Sequence, residues 1–181
     1  NFKATDECGN MITKVAVFTI SDTADPFWVN MPQDQVVECD GNGNSVALNA
    51  WLTGFTADDA CGDVLVTYTF TSVEGECGST MVTTANFPAT DECGNTITKL
   101  ATLTIADHTI PMITYCPPDV LIACGAESGV AALGNITATD ICDANVNISY
   151  TDSDTQGVDP ELCDYYSYTI TRTFTASDAC G

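Results

Sequence analysis

Cysteine is the residue type whose number and spacing carry the clearest chemistry in this chain. The 181 residues include ten cysteines, one histidine and only four lysine and arginine residues. No two cysteines are spaced as Cys-x-x-Cys, and His108 stands apart from them, so a zinc site is disfavoured. Cysteines at this density are typical of disulfide-bonded proteins from oxidising compartments. The sequence therefore predicts an extracellular or cell-surface protein, with export encoded in a longer precursor.

Carboxylates are the second group with chemical potential, because the chain has 25 of them and a net charge of -21. This charge argues against nucleic acids as partners and against adsorption to anionic lipid surfaces, since few cations are present to contact phosphates. Direct membrane insertion is disfavoured because no apolar run of this sequence is long enough to span a bilayer. Two interpretations stay open: repulsive surface charge that keeps the chain soluble, or acidic residues that converge on calcium as a cofactor. The ligands predicted under the second interpretation are Asp22, Asp25, Asp58, Asp59, Asp63, Asp91 and Glu92.

Sequence motifs for catalysis are missing. The sequence has no Gly-x-Ser-x-Gly elbow, no glycine-rich phosphate loop and no histidine beside a serine or cysteine nucleophile. Adjacent carboxylates such as Asp58 and Asp59 are more typical of a solvated turn than of an acid–base pair. We expect no catalytic residues and no enzymatic activity.

An internal repeat arranges these residues along the chain. The segment Ala4-Thr-Asp-Glu-Cys-Gly-Asn10 returns unchanged at residues 89–95, and residues 176–181 are a near copy. Flanking residues recur with a period of about 85 residues, which is typical of tandem modules. We divide the chain into the C-terminal strands of a preceding repeat (residues 1–21), a complete first repeat (22–106) and a second repeat that lacks its last strand (107–181).

Alternation of apolar and polar residues predicts strands, and no stretch shows a helical stripe. Short strands with Gly, Asn, Asp and Pro turns are typical of a β-sandwich. The predicted fold class is all-β: tandem Ig-like β-sandwich repeats of about 85 residues, stapled by disulfides and joined by short linkers into an end-to-end rod. The predicted strands include residues 11–20, 35–39, 45–52, 64–72, 81–87, 96–105, 120–124, 130–137 and 166–175.

The two repeats share four equivalent cysteine positions, which are Cys39, Cys61, Cys77 and Cys93 in the first and Cys124, Cys142, Cys163 and Cys180 in the second, where Cys116 is a fifth cysteine. Four cysteines allow three pairings. In a sandwich of this type, Cys39 and Cys77 lie at one end of the repeat, and Cys61 and Cys93 lie at the other. Bonded cysteines need Cα atoms within about 7 Å, so partners must share an end. The predicted pairs are Cys39–Cys77, Cys61–Cys93, Cys124–Cys163 and Cys142–Cys180, with Cys8 and Cys116 bonded to cysteines outside this sequence.

Three segments of the second repeat carry a family resemblance: Asp107-His-Thr-Ile-Pro111, Cys116-Pro-Pro-Asp119 and Tyr168-Thr-Ile-Thr-Arg-Thr-Phe-Thr-Ala-Ser-Asp-Ala-Cys-Gly181. They resemble the hyalin repeat, and most closely its cysteine-rich version in giant surface adhesins of Bacteroidota, including SprB-type gliding-motility adhesins. The first repeat departs from this pattern with Asn30-Met-Pro32, where hyalin repeats often have Cys-Pro. The resemblance implies an Ig-like fold and export by the type IX secretion system. It also implies O-glycosylation of Thr23.

These observations favour a structural stalk or filament repeat of a secreted bacterial cell-surface adhesin that serves adhesion or gliding motility. The alternative is a calcium-dependent Ig-like module that binds a ligand or carbohydrate through exposed aromatic residues such as Trp28 or Tyr165 and Tyr166. The expected partners are neighbouring repeats of the same polypeptide, together with surface polysaccharide or other cells.

Overall fold

The computed structural model describes residues 1–124 and 133–181 and is built mainly from β-strands. The predicted all-β class is confirmed at this level. Two β-strands, β1 (Phe2–Thr5) and β2 (Met11–Lys14), form an antiparallel hairpin at the start of the chain. No described helix combines the length and the apolar character that crossing a membrane requires.

The first repeat is organised around a five-stranded sheet. The elements of this repeat in chain order are β3 (Phe27–Asn30), β4 (Gln35–Glu38), α1 (Ser45–Thr53), β5 (Thr56–Asp58), β6 (Val64–Val66), β7 (Thr69–Glu74), β8 (Met81–Asp91) and β9 (Thr96–Ala106). The sheet has the strand order β4-β9-β8-β6, and β7 also pairs with β8. Strand β4 runs parallel to β9, whereas the other neighbours are antiparallel. A separate antiparallel pair joins β3 to β5.

The core of the first repeat lies between α1 and the long strands β8 and β9. Alternate residues of β8 are buried, as expected for a strand with one face on a core. Trp51 of α1 packs edge-on against Phe87 of β8, with 5.5 Å between ring centroids, and its indole Nε1 donates a hydrogen bond to the Gln33 carbonyl at 3.0 Å. The buried cluster consists of Trp51, Leu52, Ala85, Phe87, Ala101 and Leu103.

The second repeat reproduces the strand pairing of the first. Strand β10 (Met112–Tyr115) pairs with β11 (Thr137–Thr139) in the same register as β3 with β5, and the irregularity falls at the same position in both pairs. Strand β12 (Asn147–Asp154) pairs with β13 (Ile170–Ser177), and a short 3-10 helix spans Cys163–Tyr165. The two sequence repeats therefore share local architecture as well as residues.

The predicted strand over residues 45–52 is wrong, because these residues form α1. Leu48, Trp51, Leu52 and Phe55 follow the spacing i, i+3, i+4 and i+7, and all four pack in or against the core cluster. The apolar side chains thus meet the sheet through a helical face rather than through strand alternation.

Two further strand predictions differ from the structure. The predicted strand over residues 11–20 ends at Lys14, and residues 120–124 form no strand. The equivalent of residues 120–124 in the first repeat is β4, which is paired with β9. Of the predicted strand over 130–137, residues 130–132 lie outside the described residues, and the observed strand begins at Thr137.

Candidate functional site: the junction between the repeats

Two disulfides formed within the described residues both join the first repeat to the second. Cys39 is bonded to Cys142 and Cys77 to Cys180, with Cα–Cα distances of 5.9 and 5.2 Å. Each bond spans a sequence separation of 103 residues. The first and third cysteines of the upstream repeat thus bind the second and fourth cysteines of the downstream repeat. We call these two bonds the rungs, and the contact surface around them the junction.

This pairing corrects the disulfides predicted from the sequence. The pairs Cys39–Cys77 and Cys142–Cys180 are not formed, because all four cysteines are bonded across the junction. The cause is that the end of the first repeat that carries Cys39 and Cys77 meets the end of the second repeat that carries Cys142 and Cys180, which supplies a competing pair of thiols. The predicted pairs Cys61–Cys93 and Cys124–Cys163 are also unformed in the described ranges, where the exposed free thiols are Cys8, Cys61, Cys93, Cys116, Cys124 and Cys163.

The rung between Cys39 and Cys142 lies inside a small core shared by the two repeats. The two cysteines are 4% and 2% exposed, and they form a buried cluster with Ile105. Val37 and Met81 of the first repeat pack against this cluster. The rung between Cys77 and Cys180 is half-buried. One rung is therefore shielded from solvent, and the other closes the edge of the junction.

Close backbone approach at the junction depends on glycine. Gly78 has a φ of +52°, and a Cβ at this position would lie 2.6 Å from the carbonyl oxygen of Cys142. The same carbonyl accepts a hydrogen bond from the backbone N–H of Ser79 at 2.8 Å. A side chain at residue 78 would therefore push the second repeat away from the first.

Cysteines at the second and fourth positions of each repeat are presented by a common turn. An aspartate two residues before the cysteine accepts a hydrogen bond from the cysteine backbone N–H, which is the geometry of an Asx turn. The pairs and N–O distances are Asp59–Cys61, Asp91–Cys93, Asp140–Cys142 and Asp178–Cys180 at 2.8 Å, and Asp6–Cys8 at 3.0 Å. The repeated Asp-x-Cys motif therefore encodes the turn that aims the thiol.

In two of these turns, hydrogen bonds favour the ionised form of the aspartate. The side chain of Asn10 and backbone N–H groups hold the pKa of Asp6 below its usual range. Burial raises the pKa of Asp91, but hydrogen bonds from Asn95 and the turn backbone outweigh burial and leave that pKa lowered. Burial, together with the charges of Asp22 and Asp91, raises the pKa of the Cys93 thiol. The thiol is consequently a weak nucleophile at neutral pH.

Only two of the predicted calcium ligands come together. Asp22 and Asp59 form a group with Cys61 in which one ligand atom from each residue lies within 4.8 Å of the others. Asp91 uses both carboxylate oxygens in its own turn, and Asp58 accepts a hydrogen bond from the backbone of Asp59. The remaining predicted ligands, Asp25, Asp63 and Glu92, are exposed and lie outside this group.

The equivalent group in the second repeat was not predicted. It consists of Asp107, Asp140 and Cys142, but the Cys142 sulfur is bonded to Cys39, so two carboxylates are left. Asp107 is 9% exposed, and its Oδ2 atom is buried without a hydrogen-bond partner among the described residues. The signal was present in the sequence, because Asp107 and Asp140 are the repeat equivalents of Asp22 and Asp59.

The aromatic residues considered for carbohydrate binding differ in how far they are available to a ligand. Trp28 is half-buried and packs against the core cluster of the first repeat. Tyr165 and Tyr166 stack edge to face with 5.0 Å between ring centroids, and Tyr166 is exposed. Thr23 is exposed on the segment before β3.

No protein-family model matches this chain, and no curated protein is significantly similar to it. The class is therefore defined by the fold and the junction: a β-rich, disulfide-cross-linked protein that contains two sequence repeats. Disulfides persist in oxidising compartments, which agrees with an extracellular location.

Proposed function

We propose that the chain is a structural stalk segment of a secreted bacterial cell-surface adhesin, built from Ig-like repeats and without catalytic activity. The observation that supports this proposal is the pair of rungs between successive repeats. A domain that only binds a ligand needs its own fold stabilised, for which bonds within the repeat suffice. A covalent bond from one repeat to the next is useful when tension acts along the chain.

The rungs give tension two covalent routes of equal length. One route crosses from Cys39 to Cys142 and follows the chain to Cys180. The other follows the chain from Cys39 to Cys77 and crosses to Cys180. The lengths are equal because both bonds have the same sequence separation. Loss of either rung therefore leaves a covalent route of unchanged length, which makes the junction tolerant of a broken bond.

Force spectroscopy tests this arrangement on the full chain, held by its termini with the free thiols alkylated. Removing one rung (Cys39→Ser with Cys142→Ser, or Cys77→Ser with Cys180→Ser) is expected to leave the fully extended length unchanged. Removing both rungs should release 103 residues, which at ~3.3–3.6 Å per residue adds about 350 Å.

A lengthening of the chain after removal of one rung would contradict the two-route arrangement. The binding alternative is tested separately by probing a glycan array with the oxidised chain. A stalk segment is expected to give no specific signal, because its contacts are with neighbouring repeats. A reproducible glycan signal that depends on Tyr165 or Tyr166 would favour the ligand-binding alternative.

A second candidate function, a calcium-dependent module, is favoured by the unpaired Oδ2 atom of Asp107. A buried carboxylate oxygen without a partner costs free energy, and a hard cation shared with Asp140 would remove that cost.

Calorimetry with calcium chloride should then show uptake of calcium by the full chain. Asp107→Asn and Asp140→Asn should abolish that uptake, and Asp25→Asn, which alters an exposed carboxylate, should preserve it. An absence of uptake by the unmodified chain would remove this candidate.

A further inference from the structure

One end of the first repeat is built like the end of the second repeat that is bonded at the junction. Cys61 and Cys93 occupy the positions that Cys142 and Cys180 occupy in the second repeat. All four thiols follow the same Asx turn, with an N–O distance of 2.8 Å in each case. The cysteines of the two ends differ in exposure. Cys61 and Cys93 are exposed, whereas Cys142 is buried and Cys180 is half-buried.

The two turns lie side by side in both repeats. In the second repeat, Asp143 Oδ2 accepts a hydrogen bond from the backbone N–H of Ala179 at 2.8 Å, which joins the two cysteine turns. In the first repeat, a Cβ on Gly62 would lie 3.3 Å from Glu92 Oε2, so the corresponding turns are also in contact. The first repeat therefore presents two thiols together on one face.

A complementary pair of thiols is present in the second repeat. Cys124 and Cys163 occupy the positions of Cys39 and Cys77, which supply the upstream side of the junction. Both thiols are exposed and free in the described residues. The chain thus carries one bonded junction, and the cysteine positions of one further half-junction recur in each repeat.

We propose that Cys61 and Cys93 form a docking face for a further module of this type, whose first and third cysteines bond to them. Cys124 and Cys163 form the opposite face, which bonds to the second and fourth cysteines of another such module. The partner is a module of the same type for two reasons. The two faces carry the same cysteine positions as the two sides of the observed junction. Forming both bonds also requires a partner whose two cysteines have the same spacing as those of the observed junction. The inference deepens the proposed stalk function and rests on it.

Each new rung is an oxidation that needs a stated acceptor. Two thiols lose two protons and two electrons and form one S–S bond, while a small-molecule disulfide such as oxidised glutathione is reduced to two thiols. The reaction proceeds through the thiolate, and the fraction of thiolate rises with pH. Alkaline conditions are therefore used in the test.

The experiment mixes two complementary variants of the full chain in a Cys8→Ser, Cys116→Ser background. One variant carries Cys61→Ser with Cys93→Ser and keeps only the face of Cys124 and Cys163. The other carries Cys124→Ser with Cys163→Ser and keeps only the face of Cys61 and Cys93. Glutathione-buffered oxidation is followed by non-reducing electrophoresis and peptide mass mapping. Each variant alone should stay monomeric, and the mixture should give dimers bonded Cys124–Cys61 and Cys163–Cys93.

The parent chain with both faces should form longer multimers under the same conditions. A mixture that stays monomeric, or peptides that show Cys61 bonded to Cys93 within one chain, would overturn the inference. Such a failure is distinguishable from failure of the proposed function, because the force measurement depends only on the two rungs already formed.

Discussion

At the scale of single residues, aspartate side chains stabilise the tight turns at the ends of the repeats. Several carboxylates that the sequence grouped as calcium ligands instead accept hydrogen bonds from backbone N–H groups in tight turns. Asp91 is the clearest case, since Cys93, Asn95 and the Asn95 side chain all donate to it. The repeated motif thus uses its acid for conformation and its cysteine for cross-linking.

Asp91→Asn is expected to make the stability of the chain less dependent on pH. The pKa of Asp91 is lowered in the folded chain, so the carboxylate adds stability above its unfolded pKa of about 3.9. That stability is lost as the pH falls through the folded pKa. The difference in melting temperature between the parent chain and Asp91→Asn should therefore be largest near neutral pH and shrink on acidification. A difference in melting temperature that stays constant across this pH range would contradict the expectation.

Gly78→Ala tests the close approach at the junction. The new Cβ would clash with the Cys142 carbonyl, and alanine is disfavoured at positive φ. We expect a loss of about 1–3 kcal/mol from overpacking, in addition to about 1–2 kcal/mol from the backbone, measured by denaturant unfolding. Gly43→Ala is the matched control, because Gly43 also has positive φ but no atom within 4 Å of the added Cβ. Equal losses in the two variants would contradict the steric argument.

At the scale of elements, α1 supplies the largest side chain of the first core. Trp51→Ala removes the contact with Phe87 and the hydrogen bond to Gln33, so we expect a loss of about 3–5 kcal/mol. Val46→Ala on the same helix removes a side chain that is 80% exposed and should change stability little. Thermal unfolding of both variants checks this expectation. A small effect of Trp51→Ala would mean that α1 does not anchor this core.

Strand alternation was sufficient to predict the long hairpin but not the helix opposite it. Residues 81–87 and 96–105 alternate because one face of β8 and β9 packs on the core, and both predicted strands lie within the observed ones. The sequence does not distinguish strand from helix over residues 45–52, because a short segment with apolar residues at 46, 48, 51 and 52 fits two periodicities. The spacing of Leu48, Trp51 and Leu52 matches the helical face that contacts the core.

The disulfide pairing cannot be predicted from the sequence of one repeat considered alone, because the bonds join two repeats. The requirement that partners share an end correctly limits the choice within a folded module, but it ignores cysteines that a neighbouring module brings to the same place. Cys39 and Cys142 meet because the turn after Asp140 docks on the end of β4 and β9. That contact depends on how the repeats pack, which the order of residues within one repeat does not contain.

At the scale of the whole molecule, the rungs tie the second repeat to the first. Among the described apolar side chains of the second repeat, Leu121, Ile141 and Val158 are largely exposed and Ile136 is buried, whereas the first repeat has a buried cluster of six residues. The paired strands β12 and β13 are held locally by Arg172, which donates two hydrogen bonds to Asp152 and lies 3.8 Å from the centre of the Tyr150 ring. We therefore expect the described strands of the second repeat to lose more stability than those of the first when the rungs are removed.

Removing both rungs (Cys142→Ser with Cys180→Ser) should therefore uncouple the stabilities of the two repeats. In the chain-entropy model, a disulfide that closes a loop of about 100 residues contributes about 4.7 kcal/mol, and a second bond adds less because the first already shortens the free loop. Hydrogen exchange should show that β12 and β13 lose protection while the middle of β8 and β9 keeps it, since the cluster around Phe87 does not include the rungs. Only the ends of β8 and β9 at Met81 and Ile105, which pack against the Cys39–Cys142 rung, should lose protection with them. Variants that lack one rung should keep most of the protection of β12 and β13. An equal loss of protection in both repeats would contradict this expectation. It would show that the two repeats unfold as one unit and that the rungs stabilise a core shared by both.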